Sequence, residues 1–327
     1  MAAVIAGGLL AMAAAGGLVA LLVVRTSHHP SAIRPSPPAR TTAPPPGRCL
    51  PVPHSCGFPD AANTGVPYGM RLRSVPGQVS SGRGWEFDPR GRVVVTGAGA
   101  VLAGLYIPYT VDVEANDVTI KDDHIVAGGR TSFGIAVRHT AGVTIEHDTI
   151  NGRNGSSGRV MAAVKDIYAD STGLRVLDSN IFDAGVGVQM ESGLIQGNFV
   201  HDMGYLPGDH LDGINSDGGS SGMLTIRHNT IFCNHVQTDA IGLFEDFGSQ
   251  QNRLVTGNLL AGGSYTIYAG QNSGGPATSN ITITDNRIAT LYFPQGGQYG
   301  PVTAFNPATT TWTGNVWDST GAAIPGP

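Results

Sequence analysis

Eight versions of one phrase run through the chain: NDVTIKDDHI (116–125), AGVTIEHDTI (141–150), TGLRVLDSNI (172–181), SGLIQGNFV (192–200), GMLTIRHNTI (222–231), NRLVTGNLL (252–260), SNITITDNRI (279–288) and TTTWTGNVW (309–317). Aligned on their apolar pairs, they place Asp123, Asp148, Ser179, Asn198, Asn229, Asn258, Asn286 and Asn315 at one equivalent position, in steps of 25, 31, 19, 31, 29, 28 and 29 residues. Such self-similarity is the mark of a solenoid, in which a repeat buries its apolar face only by stacking on its neighbours. Short polar side chains suit a turn because they bond local backbone groups and tolerate left-handed conformations. Repeated on every rung, they are expected to stack into a ladder inside the coil.

After a Gly-containing loop each phrase is followed by a second short apolar stretch: FGIAVRH (133–139), MAAVKDI (161–167), GVGVQM (185–190), LDGINSD (211–217), DAIGLFED (239–246), YTIYAG (265–270) and VTAFN (302–306). Two strands per repeat require at least two sheets. A β-sandwich also needs short strands, but not a polar turn residue at a recurring period. The chain therefore reads as all-β, a single-stranded right-handed parallel β-helix (a solenoid) from about Leu72 to Trp317. Leu72–Tyr109 alternates apolar residues without the full phrase and reads as first rungs plus a cap, since terminal repeats are commonly atypical. The two steps of 31 carry extra residues, Arg153–Arg159 and Met203–His210, and insertions of this kind gather on one face, often the functional one.

The 327 residues carry a formal net charge of -5, with 13% charged and 41% hydrophobic residues, enough for one sizeable core and without the basic patch of a nucleic-acid partner. Gly (47) and Pro (21) are abundant and aromatics are 7%, which favours short strands and tight turns over helix packing. Met1 to Val24 is almost unbroken apolar sequence, and about 20 such residues span a bilayer. It reads as a transmembrane signal anchor or, with Ala13-Ala14-Ala15 as a cleavage site, a signal peptide. Residues 25–55 follow as a Pro-rich disordered linker, and 56–327 as the β-helix domain. Cys49 and Cys56 flank the junction and are expected to close a small disulfide loop in an oxidising compartment, leaving Cys233 unpaired. The expectation is an extracytoplasmic monomer, held at the cell surface through its N-terminal helix or, once cleaved, secreted.

Acidic and imidazole side chains concentrate in two consecutive rungs: His201, Asp202, Asp209, His210, Asp212 and Asp217, then His235, Asp239, Glu245 and Asp246. Aligning LDGINSD with DAIGLFED sets Asp212 opposite Asp239 on rungs about 4.8 Å apart. Paired carboxylates about 5 Å apart fit a nucleophile and a general acid that cleave a glycosidic bond with retention, whereas about 6.5–9.5 Å leaves room for an inverting water. Two like charges so close also push one pKa upward, which supplies the protonated acid. If Ile214 and Ile241 point into the coil, strict alternation sends both aspartates inward too, unless they sit in the turn leading into the strand. The turn placement is expected here, with Asn215, Asp217 and Phe244 on the outer face and His210 at the loop edge.

Asp212, Asp239 and His210 are thus the expected catalytic set, with substrate contacts from His201, Asp202, Asp209, Asn215, Asp217, Phe244, Glu245, Asp246, Tyr265 and Tyr268. The plainer reading makes the two aspartates stacked turn residues, His201 and Asp202 a turn cap, and His147 and His228 solvated side chains. No cofactor is required; Ca²⁺, which takes about six to eight oxygen ligands, is the other use of Asp209, Asp212, Asp239 and Asp246, although no loop has diagnostic ligand spacing. No Gly-x-Ser-x-Gly elbow marks a Ser-His-Asp hydrolase. Tyr205, Phe247, Tyr292, Phe293 and Tyr299 join the aromatics above in the C-terminal half, as flat platforms for sugar faces. Lysine is represented only by Lys121 and Lys165, so the acidic cleft suits a neutral glycan better than a uronate polymer unless Ca²⁺ bridges.

CGFPDAANTGVPYG (56–69), HLDGINSDGG (210–219), TIRHNTI (225–231) and GGSYTIYAG (262–270) resemble the actinobacterial exported right-handed β-helix proteins of the pectate-lyase-like superfamily, over nearly everything after the Pro-rich spacer. That resemblance implies carbohydrate-related activity. More distantly, HLDG and QTDA are similar to two rung motifs of the polygalacturonase group, Asn-Thr-Asp and Asp-Asp, with Asp212 and Asp239 at matching places. His210 and Thr238 depart from those motifs, and Ser264 falls near the place of the group's Gly-His-Gly histidine, so polygalacturonase activity itself is not implied. Asp209-His210-Leu211-Asp212 loosely echoes the Asp-x-His arrangement of uronan epimerases. The functional expectation is an extracytoplasmic enzyme that cleaves a polysaccharide across Gly193–Gly270 by glycoside hydrolysis. Its competitors are a lyase or epimerase acting on a uronic-acid polymer and a non-catalytic glycan-binding or cell-envelope module.

Overall fold

The computed structural model describes residues 48–153 and 158–327, without the side chains of 130 and 131. The Met1–Val24 segment, the spacer up to 47 and the centre of the Arg153–Arg159 insertion lie outside the described residues. Among the described residues no helix is long and apolar enough to cross a membrane.

The described chain is an all-β parallel β-helix with three sheets, of nine, ten and eleven strands. Each repeated phrase supplies two strands, because the backbone bends at the polar turn residue. The apolar residues before it join the nine-stranded sheet (sheet I), those after it the ten-stranded sheet (sheet II), and the second apolar stretch the eleven-stranded sheet (sheet III). In one rung, Gly193–Gln196 lies in sheet I, Phe199–Val200 in sheet II and Asp212–Ser216 in sheet III.

Parallel register stacks one buried aliphatic per sheet and rung into three columns. They run Ile120, Ile145, Val176, Ile195, Ile226, Val255, Ile283 in sheet I; Ile125, Ile150, Ile181, Val200, Ile231, Leu260, Ile288 in sheet II; and Ile135, Val164, Val188, Ile214, Ile241, Ile267, Val302 in sheet III. Branched side chains fit a pleated face, and cutting one such residue to Ala costs about 2–5 kcal/mol.

The turn residues form the expected ladder without a break. Each backbone N–H donates to the next side chain: Asp123 to Asp148 Oδ1 (2.7 Å), Asp148 to Ser179 Oγ (3.2 Å), Ser179 to Asn198 Oδ1 (3.0 Å), and on through Asn229, Asn258 and Asn286 to Asn315 Oδ1 (3.1 Å). The residue before each ladder position, Asp122, His147, Asp178, Gly197, His228, Gly257, Asp285 or Gly314, has φ between 45° and 72°. Gly reaches that region freely, and Asp, Asn and His are enriched there among other types. His147 and His228 are exposed, and the turn gives both a structural reason.

Both ends are closed. Trp85–Asp88 and Arg92–Val95 pair antiparallel over the first rung, and Trp85 is buried beneath them. At the far end Trp312 Nε1 donates to Ile324 O at 2.8 Å as the tail folds back. The N-terminal segment is also docked: Cys49 and Cys56 are joined by a disulfide, the Cys49 N–H donates to Asp318, and Leu50 and Phe58 pack on Phe232, Leu259 and Ala289 of sheet II. The strap continues to Val66, whose N–H donates to Thr149 Oγ1 at 3.1 Å, and so spans most rungs of that sheet. Sheet II is therefore covered on its outside, and sheet III carries the candidate site.

Candidate functional site

Asp212 and Asp239 each begin a strand of sheet III and face one another in register, followed by Ile214 with Ile241, Asn215 with Gly242 and Ser216 with Leu243. Gly213 and Ala240 are skipped. A Cβ on Gly213 would lie 2.3 Å from the core atom Ile231 Cγ2, so positions 213 and 214 both face inward. The strand bends between them, and that bend, more than a turn ahead of the strand, sets the two aspartates on the outer side with Asn215. Asn215 Nδ2 donates to Asp212 Oδ2 at 3.2 Å, and Asp239 Oδ2 lies 2.8 Å from where a Gly242 Cβ would stand.

Asp239 is completely buried and Asp212 is 5% exposed. Burial pushes the Asp212 carboxyl up to about 6, against the Asn215 hydrogen bond and the nearby His210 charge. Burial first, and then the Asp212 charge, hold Asp239 well above the ordinary carboxylate range. Burial and proximity therefore act in the same direction on Asp239, toward its protonated form. Among the described residues, twelve buried side-chain oxygens have no hydrogen-bond partner, and five gather here: Asp212 Oδ1, Asn215 Oδ1, Thr238 Oγ1 and both oxygens of Asp239. The Thr238 hydroxyl is near enough to favour the Asp212 anion without reaching hydrogen-bond geometry. Buried polar groups are nearly always satisfied, so five such oxygens together are unusual.

Aromatic rings adjoin the pair. Phe244 folds over Gly242, where any Cβ would meet its Cε2 at 2.3 Å, and its ring lies 5.4 Å from that of Tyr268. Tyr268 pairs with Gly242, and Tyr265 stands edge-on to Tyr268 at 5.8 Å. Beyond Tyr268 is a recess of about 530 Å³ lined by Gln271, Asn272, Ser273, Thr303 and Phe305. Two residues before the aspartates, Gln237 Nε2 and His210 Nε2 lie 3.1 Å apart, bringing the two rungs together in solvent. On the outer column that continues through Asn215, Gln189 bonds Lys165 and donates to Asp217 Oδ2 at 2.6 Å. Burial raises the Asp217 carboxyl.

Other expected contacts lie elsewhere. Asp209 forms a buried bidentate ion pair with Arg159, at 2.5 and 2.6 Å. His201 stacks on Phe199 at 3.9 Å and bonds Asp202 and Asn180, on the flank of sheet II. Glu245 Oε2 accepts from the Asn272 N–H at 2.9 Å, which holds the next loop, and Asp246 is exposed. Asp209, Asp212, Asp239 and Asp246 are thus not brought together, and among the described residues no three His, Cys, Asp or Glu are grouped to hold a metal.

Sequence reasoning passed over Glu191, which is buried at the corner after sheet III. Its carboxylate accepts from Ser216 Oγ (2.7 Å), Asp217 N (2.6 Å), Gly218 N (3.1 Å) and Arg253 Nη2 (3.3 Å). Its one signal is its place in the shortest step, 19 residues, where the chain has little length to turn the corner. Gln237 and Gly242 carried no signal except their nearness to Asp239. No known protein family matches this chain, and no curated protein is found similar to it.

Proposed function

We propose that the protein is an extracytoplasmic carbohydrate-active enzyme of the pectate-lyase-like kind that hydrolyses a neutral polysaccharide, with Asp212 as proton donor. The observation that carries this reading is a carboxyl pair in register beside aromatic rings, with Asp212 alone of the two reaching the surface. The rings suit the C–H face of a sugar, and the exposed edge of Asp212 is where a glycosidic oxygen can meet it. Asp212, raised to about 6 and the only one of the two with exposed surface, gives its proton to the glycosidic oxygen as the C–O bond breaks. Water adds its hydroxyl to the anomeric carbon, and the water's remaining proton restores the carboxyl pair. Asp239 acts from behind as the buried partner, and the exposed His210 orients the substrate at the rim. The Cys49–Cys56 disulfide supports an oxidising compartment.

The depth of the pair favours a second reading, a non-catalytic glycan-binding module in which both aspartates are protonated structural acids. A turnover screen against neutral and uronate polysaccharides, with and without Ca²⁺, separates the possibilities. New reducing ends without absorbance near about 235 nm support hydrolysis, and that absorbance signals β-elimination of a uronate polymer instead. Absence of product on every polymer moves the binding module to first place.

A further inference from the structure

The step from Ser179 to Asn198 is the shortest between ladder residues. Its corner between sheets III and I is only Met190, Glu191 and Ser192, between the strands Ala184–Gln189 and Gly193–Gln196. The corresponding corner one rung earlier runs from Ile167 to Leu174, and one rung later from Asp217 to Met223. The tight corner leaves a notch of about 370 Å³ between its longer neighbours, near the lower end of the roughly 300–1,000 Å³ usual for small-molecule sites.

Two exposed aromatics wall the notch and backbone forms its floor. Tyr168, 53% exposed, has one ring face stacked on His139 at 4.0 Å and 4°. His139 is itself fixed by Asp170 at 2.6 Å, so the other face of the tyrosine is presented on a rigid support. Phe247, 76% exposed, also lines the notch. Gly218, Gly219 and Ser220, from the later corner, form a backbone floor to the lining. Both glycines have left-handed φ, +85° and +81°, and a Cβ would fall 2.1 Å from Gly248 O or 2.6 Å from Phe247 O, so the floor admits no larger residue. The buried Glu191–Arg253 pair anchors that floor through the Asp217 and Gly218 N–H groups.

We propose that this notch is a second carbohydrate site, separate from the Asp212–Asp239 pair, which binds the ring of a neutral sugar. The assignment of ligand class rests on the carbohydrate reading above. Its own support is the pairing of open aromatic faces, which suit the C–H side of a sugar ring, with a floor of peptide groups and a serine hydroxyl, which suits the sugar's hydroxyls. No charged side chain lines the notch, so it offers nothing to select a uronate.

Affinity electrophoresis of the full chain through gels containing β-glucan, xylan, mannan, galactan or polygalacturonate tests the proposal. At least one neutral polymer is expected to retard the protein, and Tyr168→Ala and Phe247→Ala are each expected to weaken that retardation at least about fivefold, a scale set by one lost stacking contact. In Asp212→Asn the retardation that remains is expected still to depend on Tyr168 and Phe247. No retardation by any neutral polymer, retardation by polygalacturonate alone, or full retardation in both aromatic variants overturns the site. Retardation without turnover removes the catalytic reading and keeps the notch; turnover without retardation does the reverse.

Discussion

Asp212 and Asp239 are register partners on neighbouring strands, yet only Asp212 keeps any surface in solvent. In the proposed hydrolysis that asymmetry would divide the work between Asp212, the acid that meets the substrate, and Asp239, its buried partner. The pH dependence follows. The Asp212 carboxyl is raised to about 6, so its protonated, active form is lost as pH rises through that value. The kcat/KM of the wild-type protein is expected to fall on the alkaline side of about pH 6; a profile flat from about pH 5 to 7 excludes this acid.

The same physics acts on stability where the ladder uses Asp in place of Asn. Asp123 Oδ2 and Asp148 Oδ2 are buried without partners, and burial raises both carboxyls, Asp123 to about 8 and Asp148 well above its usual range. A carboxyl that holds its proton more tightly when folded makes stability fall as pH climbs from the unfolded value, 3.8, toward the folded one. An Asn there would supply the Nδ2 donor that Asn198 gives to Val176 O at 2.9 Å and Gln196 O at 3.1 Å. Asp148→Asn is expected to stabilise the coil by about 1–3 kcal/mol at pH 8 and little at pH 4, measured by denaturant unfolding. An equal effect at both pH values contradicts the protonated ladder.

These ladder positions were legible in the sequence because a stacked turn repeats with the rung, and the alignment that found them also set Asp212 against Asp239. Periodicity places the turn residue but does not show that the phrase continues beyond it into a second strand on another sheet. His228 or Gly257 in a left-handed turn has no mark that separates it from an ordinary loop residue, so each phrase read as one strand when it holds two. The bend at Gly213 was hidden likewise, since it depends on Ile231 packing across the coil. Substrate roles for Asp209 and His201 follow from local density in the sequence, whereas Arg159, which occupies Asp209, and Asn180, which holds His201 together with its neighbour Phe199, come from other rungs.

The strap offers a test of the N-terminal segment. A cross-link closing so short a loop, with partners seven residues apart, is worth about 2–3 kcal/mol to the segment it orders. Cys56→Ser is expected to speed amide exchange from Cys49 to Phe58 while the inner columns of the coil keep their protection. Unchanged exchange across the strap means that Leu50 and Phe58 dock without it.

Arg253 is the counter-charge for Glu191 beneath the glycine floor, and both are buried. Arg253→Met leaves a carboxylate unpaired and is expected to cost about 3–5 kcal/mol in urea unfolding. A loss below about 1 kcal/mol places the corner's stability in its backbone bonds instead.

The central claim is that the carboxyl pair performs chemistry, and the most direct measurement is turnover of wild type, Asp212→Asn and Asp239→Asn on whichever polysaccharide the wild type cleaves. Loss of a positioned acid is expected to lower kcat by about 10²–10⁴ in Asp212→Asn, with a clear loss also in Asp239→Asn. Wild-type turnover in Asp212→Asn would contradict the account and place the chemistry elsewhere on the coil.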